Sequence, residues 1–326
     1  MMSSRFPVGD SKTLMPQEHV VAAIISRDRP RQLQSMVAAV RSQIAPVRLS
    51  LLMIDSSSNR SVCDEFRNVD GITILYSERN LGGAGGFACG IIHALGMGAQ
   101  WVWLMDDDGR PNTETALQIL LEAVHRRKLD ALAPVVLDPE NLSRFAFPYP
   151  INNRYVIERD QVDSETLIPS FAHLFNGLLI SAQAIFVVGL PDLRLFLRGD
   201  EVDYLFRMRR SKLKFGTLAS ASFTHPSSKA ELHPVFNGRL HVVYPLDQWK
   251  RRLQYRNRGY NFWHHRQFQL LAVDAIRYPY FFTVHRRFDF RGLLEWFGCT
   301  WDGIRGRVGG PQSTDTLELA KKVLPL

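Results

Sequence analysis

The sequence predicts an α/β protein in which a mostly parallel sheet is flanked by helices, followed by a helical C-terminal region. Apolar runs of strand length alternate with amphipathic stretches of helix length through the first half of the chain. The segment from Trp249 to Arg307 differs in composition, with twelve Lys or Arg against four Asp or Glu, and fifteen aromatic residues. A chain of 326 residues with 45% hydrophobic composition can bury a large core.

Four buried strands are predicted in the first half, at Val20 to Ser26, Val47 to Ile54, Ile72 to Tyr76 and Trp101 to Met105. Helices between them make a βαβ series, whose parallel strands end at one edge of the sheet, where ligands bind. The residues that follow each strand are polar, so polar groups gather at this edge. They are Arg27-Asp28-Arg29-Pro30 after the first strand, Asp55-Ser56-Ser57-Ser58 after the second, Glu78-Arg79-Asn80 after the third and the aspartate triplet Asp106-Asp107-Asp108 after the fourth.

The rest of this half is less regular. We predict a helix over 112–128 starting near Pro111, and a fifth strand over Ala131 to Val136. The pattern weakens from Leu137 to Pro169, which predicts a loop or hairpin over the sheet. Regular elements are expected again at His173 to Ser181, Leu195 to Lys212 and Phe215 to Phe223.

The chain is predicted to have three parts. Residues 1–18 form a loose polar leader without the apolar core of a signal peptide, residues 19–240 the α/β domain, and residues 241–326 the helical, basic and aromatic region. The stretch from Leu81 to Met105 has no formal charge and the length of a membrane span, but its glycines favour a turn, a helix and a buried strand. The three cysteines lie far apart, so neither a disulfide framework nor a zinc knuckle is indicated and a reducing cytoplasm fits.

A formal charge of +8 predicts an anionic partner. No recognised nucleic-acid motif is present, so we expect no nucleic acid partner. For the segment Trp249 to Arg307 two interpretations stay open. It is either an ordinary helical subdomain with an aromatic core, or a peripheral membrane surface in which basic residues meet anionic lipid.

The strongest local signal is Asp106-Asp107-Asp108 at the end of an apolar strand. An Asp-x-Asp pair can bind Mg²⁺ or Mn²⁺, which in turn neutralises a diphosphate. A solvated acidic turn is the alternative, but three carboxylates directly after a buried strand favour the metal.

The glycine-rich run Gly83-Ala-Gly85-Gly-Phe-Ala88 also satisfies the dinucleotide pattern, with Asp106 at the distance of a ribose-binding acid. That would suit a nicotinamide-dependent oxidoreductase. However, the run follows the third strand and not the first, and one ribose contact does not need three aspartates. The glycines instead predict close approach of the backbone to a ligand or a tight turn.

In the second half, Asp200, Glu201 and Asp203 cluster where a helix is predicted to begin. Acids suit a helix N-terminus through its dipole, but a tight cluster also resembles a general base presented at a site. His225 follows a predicted strand. A lone histidine is usually structural, and only together with the carboxylates is it a candidate metal ligand.

Several motifs together resemble family 2 glycosyltransferases, which have the GT-A (Rossmann-like) fold, and more closely the galactofuranosyltransferases of actinobacterial cell-wall galactan. They extend from about Val20 to Tyr260 and are Arg79-Asn-Leu-Gly-Gly-Ala-Gly-Gly-Phe87, Trp101-Val-Trp-Leu-Met-Asp-Asp-Asp-Gly109, Leu174-Phe-Asn-Gly177, Pro191-Asp-Leu-Arg-Leu-Phe196, Arg198-Gly-Asp-Glu-Val202 and Tyr255-Arg-Asn-Arg-Gly-Tyr260. The resemblance implies an inverting enzyme that transfers galactofuranose from UDP-galactofuranose to a polyprenyl-diphosphate-linked rhamnosyl-N-acetylglucosamine, on the inner face of the plasma membrane.

The same resemblance implies roles for individual residues. The metal, Mn²⁺ or Mg²⁺, would be held by Asp106, Asp108 and His225. Glu201 would be the base with Asp200 and Asp203 beside it, although many relatives have aspartate at the position of Glu201, which leaves Asp200 a rival. Donor contacts are expected at Arg29, Asp55, Arg79, Asn80, Gly82, Gly83, Asp106 and Asp107, and acceptor contacts at Phe175, Asn176, Gly177 and Arg256.

Three alternatives remain at this point. A rhamnosyltransferase acting on a similar lipid carrier is one, although such relatives commonly lack a full aspartate triplet. A nicotinamide-dependent oxidoreductase and a non-catalytic nucleotide-sugar-binding module are the others. Association into a homo-oligomer is left open.

Overall fold

The computed structural model describes residues 17–152, 154–227 and 229–309, so most of the predicted leader and the end of the C-terminal region lie outside the described residues. The first half holds the predicted βαβ series. Its elements are β1 (His19–Ser26), α1 (Pro30–Arg41), β2 (Arg48–Asp55), a 3-10 segment (Arg60–Phe66), β3 (Ile72–Tyr76), α2 (Gly82–Gly96) and β4 (Trp101–Asp106).

The middle of the chain completes the sheet. Its elements are β5 (Arg110–Pro111), α3 (Ala116–Arg127), β6 (Ala131–Asp138), β7 (Asn141–Ile151), β8 (Arg154–Glu158), β9 (Leu167–Pro169), β10 (Asn176–Ser181), α4 (Ala182–Val188), α5 (Asp200–Arg210) and β11 (Phe215–Thr224). The predicted hairpin excursion is the pair β7 and β8. Pro111 does not start the helix as predicted, because Arg110 and Pro111 pair with the end of β11 and α3 begins only at Ala116.

The C-terminal region is helical, as predicted. A hairpin of β12 (Leu232–Val235) and β13 (Leu240–Val243) precedes α6 (Gln248–His264), α7 (Phe268–Tyr280), a π-helical turn (Phe281–His285) and α8 (Phe290–Ile304). One aromatic cluster joins the hairpin to the helices and includes Tyr244, Tyr255, Tyr278, Phe281 and Trp296. The division of the chain at residue 240 stays a prediction.

The central sheet has the order β3-β2-β1-β4-β10-β6-β11-β5. The pairs β1 with β2, β1 with β4, β2 with β3, and β6 with β11 are parallel, which confirms the predicted fold class. Strand β10 lies antiparallel between β4 and β6. Its start therefore lies beside the end of β4, where the aspartate triplet is.

Helices cover both faces of this sheet. On one face α1 and α3 bury side chains such as Leu33, Met36 and Leu120 against the strands. On the other, α2, α4 and α5 contribute Phe87, Ile185 and Tyr204 to a second cluster. Both faces of the strands are thus apolar, which explains their continuous hydrophobic runs. None of the helices in the described part of the chain has the length and apolar character needed to cross a bilayer.

Candidate active site

The ends of β1, β2 and β4 meet at one edge of the sheet, as the sequence predicts. The backbone N–H of Asp28 donates to Ser57 Oγ at 2.7 Å, and that of Arg27 donates to Asp107 Oδ2 at 3.2 Å. The loops after three strands are therefore held together by their own hydrogen bonds.

The aspartate triplet lies at the centre of this edge. Candidate ligand atoms of Asp106, Asp107 and Asp108 all lie within 4.8 Å of one another. Arg29 offsets part of their charge, since its Nη1 lies 2.9 Å from Asp107 Oδ1 and 2.5 Å from Asp108 Oδ2. Burial, and then the charges of its two neighbours, raise the pKa of Asp106 to about 8. An added cation would relieve this repulsion.

Asp108 and His225 approach each other from the ends of β4 and β11. Asp108 Oδ1 lies 2.9 Å from His225 Nε2, yet this buried oxygen has no hydrogen-bond partner in the described structure. Although burial opposes it, the proximity of His225 and Arg29 holds the pKa of Asp108 below its usual value. A buried carboxylate oxygen and an imidazole nitrogen 2.9 Å apart, beside two further aspartates, fit ligands of one cation, so this donor set suits the Mn²⁺ or Mg²⁺ that the sequence predicts.

A first cavity of about 250 Å³ opens beside the triplet and is here called the donor cavity. The N-terminus of α2 and the loops after β1 and β2 form most of its wall. At Gly82, where φ is +62°, an added Cβ would lie 2.3 Å from the carbonyl oxygen of Phe196, so only glycine fits. The donor cavity is lined by Arg27, Arg29, Ser56, Asn80, Gly82, Gly83, Asp106, Asp107, Phe196, Leu197, Trp249 and Lys250, among others.

A second cavity of about 390 Å³ adjoins it and is called the acceptor cavity. The two cavities share Arg29, Gly83, Asp106, Leu197 and Lys250. Its other lining residues include Asp108, Phe147, Phe175, Asn176, Arg198, Asp200, Glu201, His225, Gln254, Arg258, Asn261 and Phe262. The acceptor cavity thus collects the two acidic clusters that the sequence places about ninety residues apart.

Asp200 and Glu201 begin α5 and face this cavity. Glu201 Oε1 accepts a hydrogen bond of 2.5 Å from the backbone N–H of Leu174. Burial, with a contribution from Asp200, raises the pKa of Glu201 to about 7, and burial raises that of Asp200 to about 6. Both carboxyl groups can therefore take and release a proton near neutral pH, as a general base must. At Gly83 a Cβ would lie 2.7 Å from Asp200 Oδ2, so the glycine allows α2 to approach this carboxylate closely.

Comparison with known proteins identifies the family. The model of "Glycosyl transferase family 2" matches residues 22–176. Galactofuranosyltransferase GlfT1 of Mycolicibacterium smegmatis (strain ATCC 700084 / mc(2)155) is 40% identical over 302 residues, which cover 90% of this chain and 99% of that protein. This chain is a family 2 glycosyltransferase. Galactofuranosyltransferase GlfT1 of Mycobacterium tuberculosis (strain ATCC 25618 / H37Rv) is likewise 38% identical over 299 residues, covering 90% and 98% of the two chains.

Among solved structures, that of S. aureus TarS 1-349 in complex with UDP matches with a TM-score of 0.49 and 10% identity, over 65% of this chain and 61% of that one. The membership in the family rests on the sequence relatives, which extend over nearly the whole glycosyltransferase.

Five of the residues expected at the site do not line either cavity. Asp55 is buried and accepts hydrogen bonds from Ser57, so it orients the loop after β2. Arg79 is exposed. Gly177 lies behind the acceptor cavity, where its carbonyl accepts from Trp103 Nε1 at 3.0 Å.

Asp203 and Arg256 are both buried among other partners. Asp203 lies 2.8 Å from Arg207 Nε on the same helix and 2.7 Å from His265 Nε2 at the end of α6, so one of its oxygens joins α5 to α6. Arg256 donates to Asn257 Oδ1 and to the carbonyl of Gly309. The expected roles of Asp203 beside the base and of Arg256 at the acceptor stay predictions.

The sequence did not predict that α6 forms part of the wall of both cavities. Trp249 and Lys250 line the donor cavity, and Lys250, Gln254 and Arg258 line the acceptor cavity. Lys250, Gln254 and Arg258 recur at intervals of four, so they share one face of a helix. That spacing is visible in the sequence, but it could not show which helix face meets the sheet edge.

Proposed function

We propose that this glycosyltransferase transfers galactofuranose from UDP-galactofuranose, with inversion, to a polyprenyl-diphosphate-linked rhamnosyl-N-acetylglucosamine. The observation that supports it best is the pair of adjoining cavities with Asp106 in the shared wall and Glu201 in the acceptor cavity. A donor and an acceptor bound on the two sides would meet where the carboxylates converge. The galactofuranosyl specificity is supported by the GlfT1 relatives.

In this proposal Mn²⁺ or Mg²⁺ is held by Asp106, Asp108 and His225. When bound, the cation supplies positive charge to the diphosphate of the donor. Lys250 adds positive charge to the wall that both cavities share, and Arg29 in the same wall offsets part of the charge of the aspartates. The donor cavity is also shaped by Asn80, Gly82 and Gly83. The backbone N–H of Gly82 donates to Asn80 Oδ1 at 3.0 Å.

Glu201 acts as the base and removes the proton from the acceptor hydroxyl as that oxygen attacks the anomeric carbon. The bond between this carbon and the diphosphate oxygen breaks at the same time, and UDP leaves. One displacement of this kind inverts the configuration. Asp200 is the alternative base. Glu201 is favoured because its pKa of about 7 is the better match to neutral pH. Phe175 and Asn176 at the start of β10 contribute to the acceptor side.

The test is a donor screen against a synthetic lipid-linked rhamnosyl-N-acetylglucosamine, with the product identified by mass. A mass gain of one or more hexoses only with UDP-galactofuranose, and only with a divalent metal, is expected. Transfer of rhamnose would support the rhamnosyltransferase instead. Binding of NAD in place of UDP would support the oxidoreductase.

We further propose that the enzyme docks on the inner face of the plasma membrane through α8. Its exposed apolar side chains follow one helix face, with Phe290 60%, Leu294 70%, Phe297 59% and Trp301 43% exposed. Arg286, Arg287, Arg291 and Arg305 are exposed beside this stripe. An apolar stripe with basic flanks fits the interface of an anionic bilayer.

Flotation with phosphatidylglycerol vesicles tests this docking. Leu294→Glu combined with Phe297→Glu should abolish binding, and neutralising Arg287 and Arg291 should weaken it. Arg251 and Arg286 are unsuitable for that purpose, because each lies over the ring of Tyr244 and close to a carboxylate, Glu295 and Asp289 respectively. Unchanged flotation of the double variant would refute the role of α8.

A further inference from the structure

One face of α6 forms a wall of the acceptor cavity over most of the length of the helix. Lys250, Gln254, Arg258, Asn261 and Phe262 all line that cavity. The opposite face crosses α8 at close range, since a Cβ on Gly259 would lie 2.4 Å from the carbonyl oxygen of Thr300 and one on Gly303 would lie 1.9 Å from that of Arg256. Residues on α6 are therefore held in fixed positions.

Helix α6 is also tied to the segment that precedes the proposed base. Asn257 Nδ2 donates to the carbonyls of Leu195 and Leu197 at 2.8 Å, and Asn261 Nδ2 donates to that of Gly199 at 2.7 Å. Asp200 and Glu201 follow directly. The cavity-facing residues of α6 are thus positioned relative to the catalytic carboxylates by hydrogen bonds.

Arg258 is a positively charged residue of this wall whose position is fixed by its neighbours. Its Nε donates a short hydrogen bond to Asp274, its Nη2 lies 3.2 Å from Asp274 Oδ1, and its guanidinium lies 4.4 Å from the ring centre of Phe262. Asp274 also lies 2.6 Å from Arg277. The single negative charge of buried Asp274 is therefore shared by the guanidinium groups of Arg258 and Arg277, which leaves one positive charge uncompensated at the cavity.

The other basic residues around the cavity have different surroundings. Arg198 is neutralised by two contacts with Glu231, and Arg29 by the aspartate triplet. Lys250 and Arg258 are eight residues apart, which is about 12 Å along a helix that rises 1.5 Å per residue. Lys250 lies at the wall shared with the donor cavity, whereas Arg258 lines only the acceptor cavity.

We propose that Arg258 binds the anionic diphosphate of the acceptor, which sets the distance between that group and the hydroxyl presented to Glu201. The inference rests on the proposed function. A guanidinium held from behind by a carboxylate keeps its remaining donors for a phosphate, which accepts two parallel hydrogen bonds from such a fork. Arg258 is then a specificity residue that selects diphosphate-linked acceptors over neutral glycosides.

The test compares four proteins, the wild type, Arg258→Gln, Arg258→Lys and the control Arg266→Gln, on two acceptors. One acceptor carries rhamnosyl-N-acetylglucosamine on a lipid diphosphate, and the other carries the same disaccharide as a neutral octyl glycoside. Arg258→Gln should raise KM for the diphosphate acceptor by about 10-fold to 100-fold with kcat nearly unchanged, and should leave KM for the glycoside unchanged. Arg258→Lys should recover part of the loss. Arg266→Gln, which replaces an exposed arginine just after α6 that does not line the cavity, should match the wild type.

A second measurement separates this inference from the proposed function. Binding of a polyprenyl diphosphate is measured by calorimetry with UDP saturating, so that no sugar transfer is involved. Binding lost only in the Arg258 variants supports the inference even if galactofuranose is not the sugar transferred. Equal binding by wild type and Arg258→Gln, or an equal KM increase on both acceptors, would overturn it.

Discussion

Replacing Glu201 by Gln tests the proposed chemistry most directly. The amide keeps the size of the side chain but cannot accept a proton, so transfer should fall by roughly 10²-fold to 10⁴-fold, or about 2.7 to 5.4 kcal/mol in activation free energy. UDP binding should survive, because Glu201 does not line the donor cavity.

The pH profile adds a second criterion. A base must be ionised, and burial raises the pKa of Glu201 to about 7, so the wild-type rate should rise with pH and level off above that value. Below it the rate should fall about tenfold per pH unit. In Glu201→Gln this acidic limb should disappear. If Glu201→Gln retains near-wild-type transfer while Asp200→Asn is inactive, Asp200 is the base and the roles must be exchanged.

Four further substitutions probe the surroundings. Asp108→Ala should abolish transfer with Mn²⁺ or Mg²⁺ while circular dichroism stays native, because the cation loses a carboxylate ligand and the diphosphate loses its counter-charge. Near-normal activity would contradict the metal site. Asp203→Asn should cost about 3 kcal/mol of unfolding free energy, measured in urea, and spare kcat, since it breaks a buried ion pair outside the cavities. Lys250→Met should weaken UDP-sugar binding about tenfold or more in a titration, unlike the exposed control Lys212→Met. Gly83→Ala should lower both stability, by about 1–3 kcal/mol, and kcat, because the new Cβ displaces Asp200.

The first half of the fold was predictable because its local signals agree with its final structure. The buried strands are apolar on both faces, so runs such as Val20 to Ser26 stand out against amphipathic helices. The polar residues after them also meet at one edge, as parallel strands require. Strand β10 was expected as a regular element, but its antiparallel insertion between β4 and β6 was not, because pairing partners depend on contacts distant in the chain.

The site was only partly predictable for a similar reason. The aspartate triplet and the acidic cluster around Glu201 stand out in the sequence, and Asp106, Asp108 and Glu201 line the acceptor cavity. Asp203 belongs to the same cluster in sequence, but one turn of helix directs it towards Arg207 and His265 instead. Conversely, Lys250 and Arg258 appear in the sequence as two charges among many basic residues. Only the packing of α6 against the sheet edge distinguishes them.

Most residues that line the donor cavity come from the first half of the chain, whereas most that line the acceptor cavity come from the second half. This difference bears on how relatives diverge. The segment common to family 2 covers residues 22–176, which include Arg29 and the aspartate triplet. Glu201, His225 and the whole of α6 lie beyond it. Under the proposed function, two members can therefore keep most of the donor cavity and still differ in the residues around the acceptor cavity. A classification based on residues 22–176 alone would group such enzymes together. Differences in acceptor specificity would have to be sought in residues 195–262.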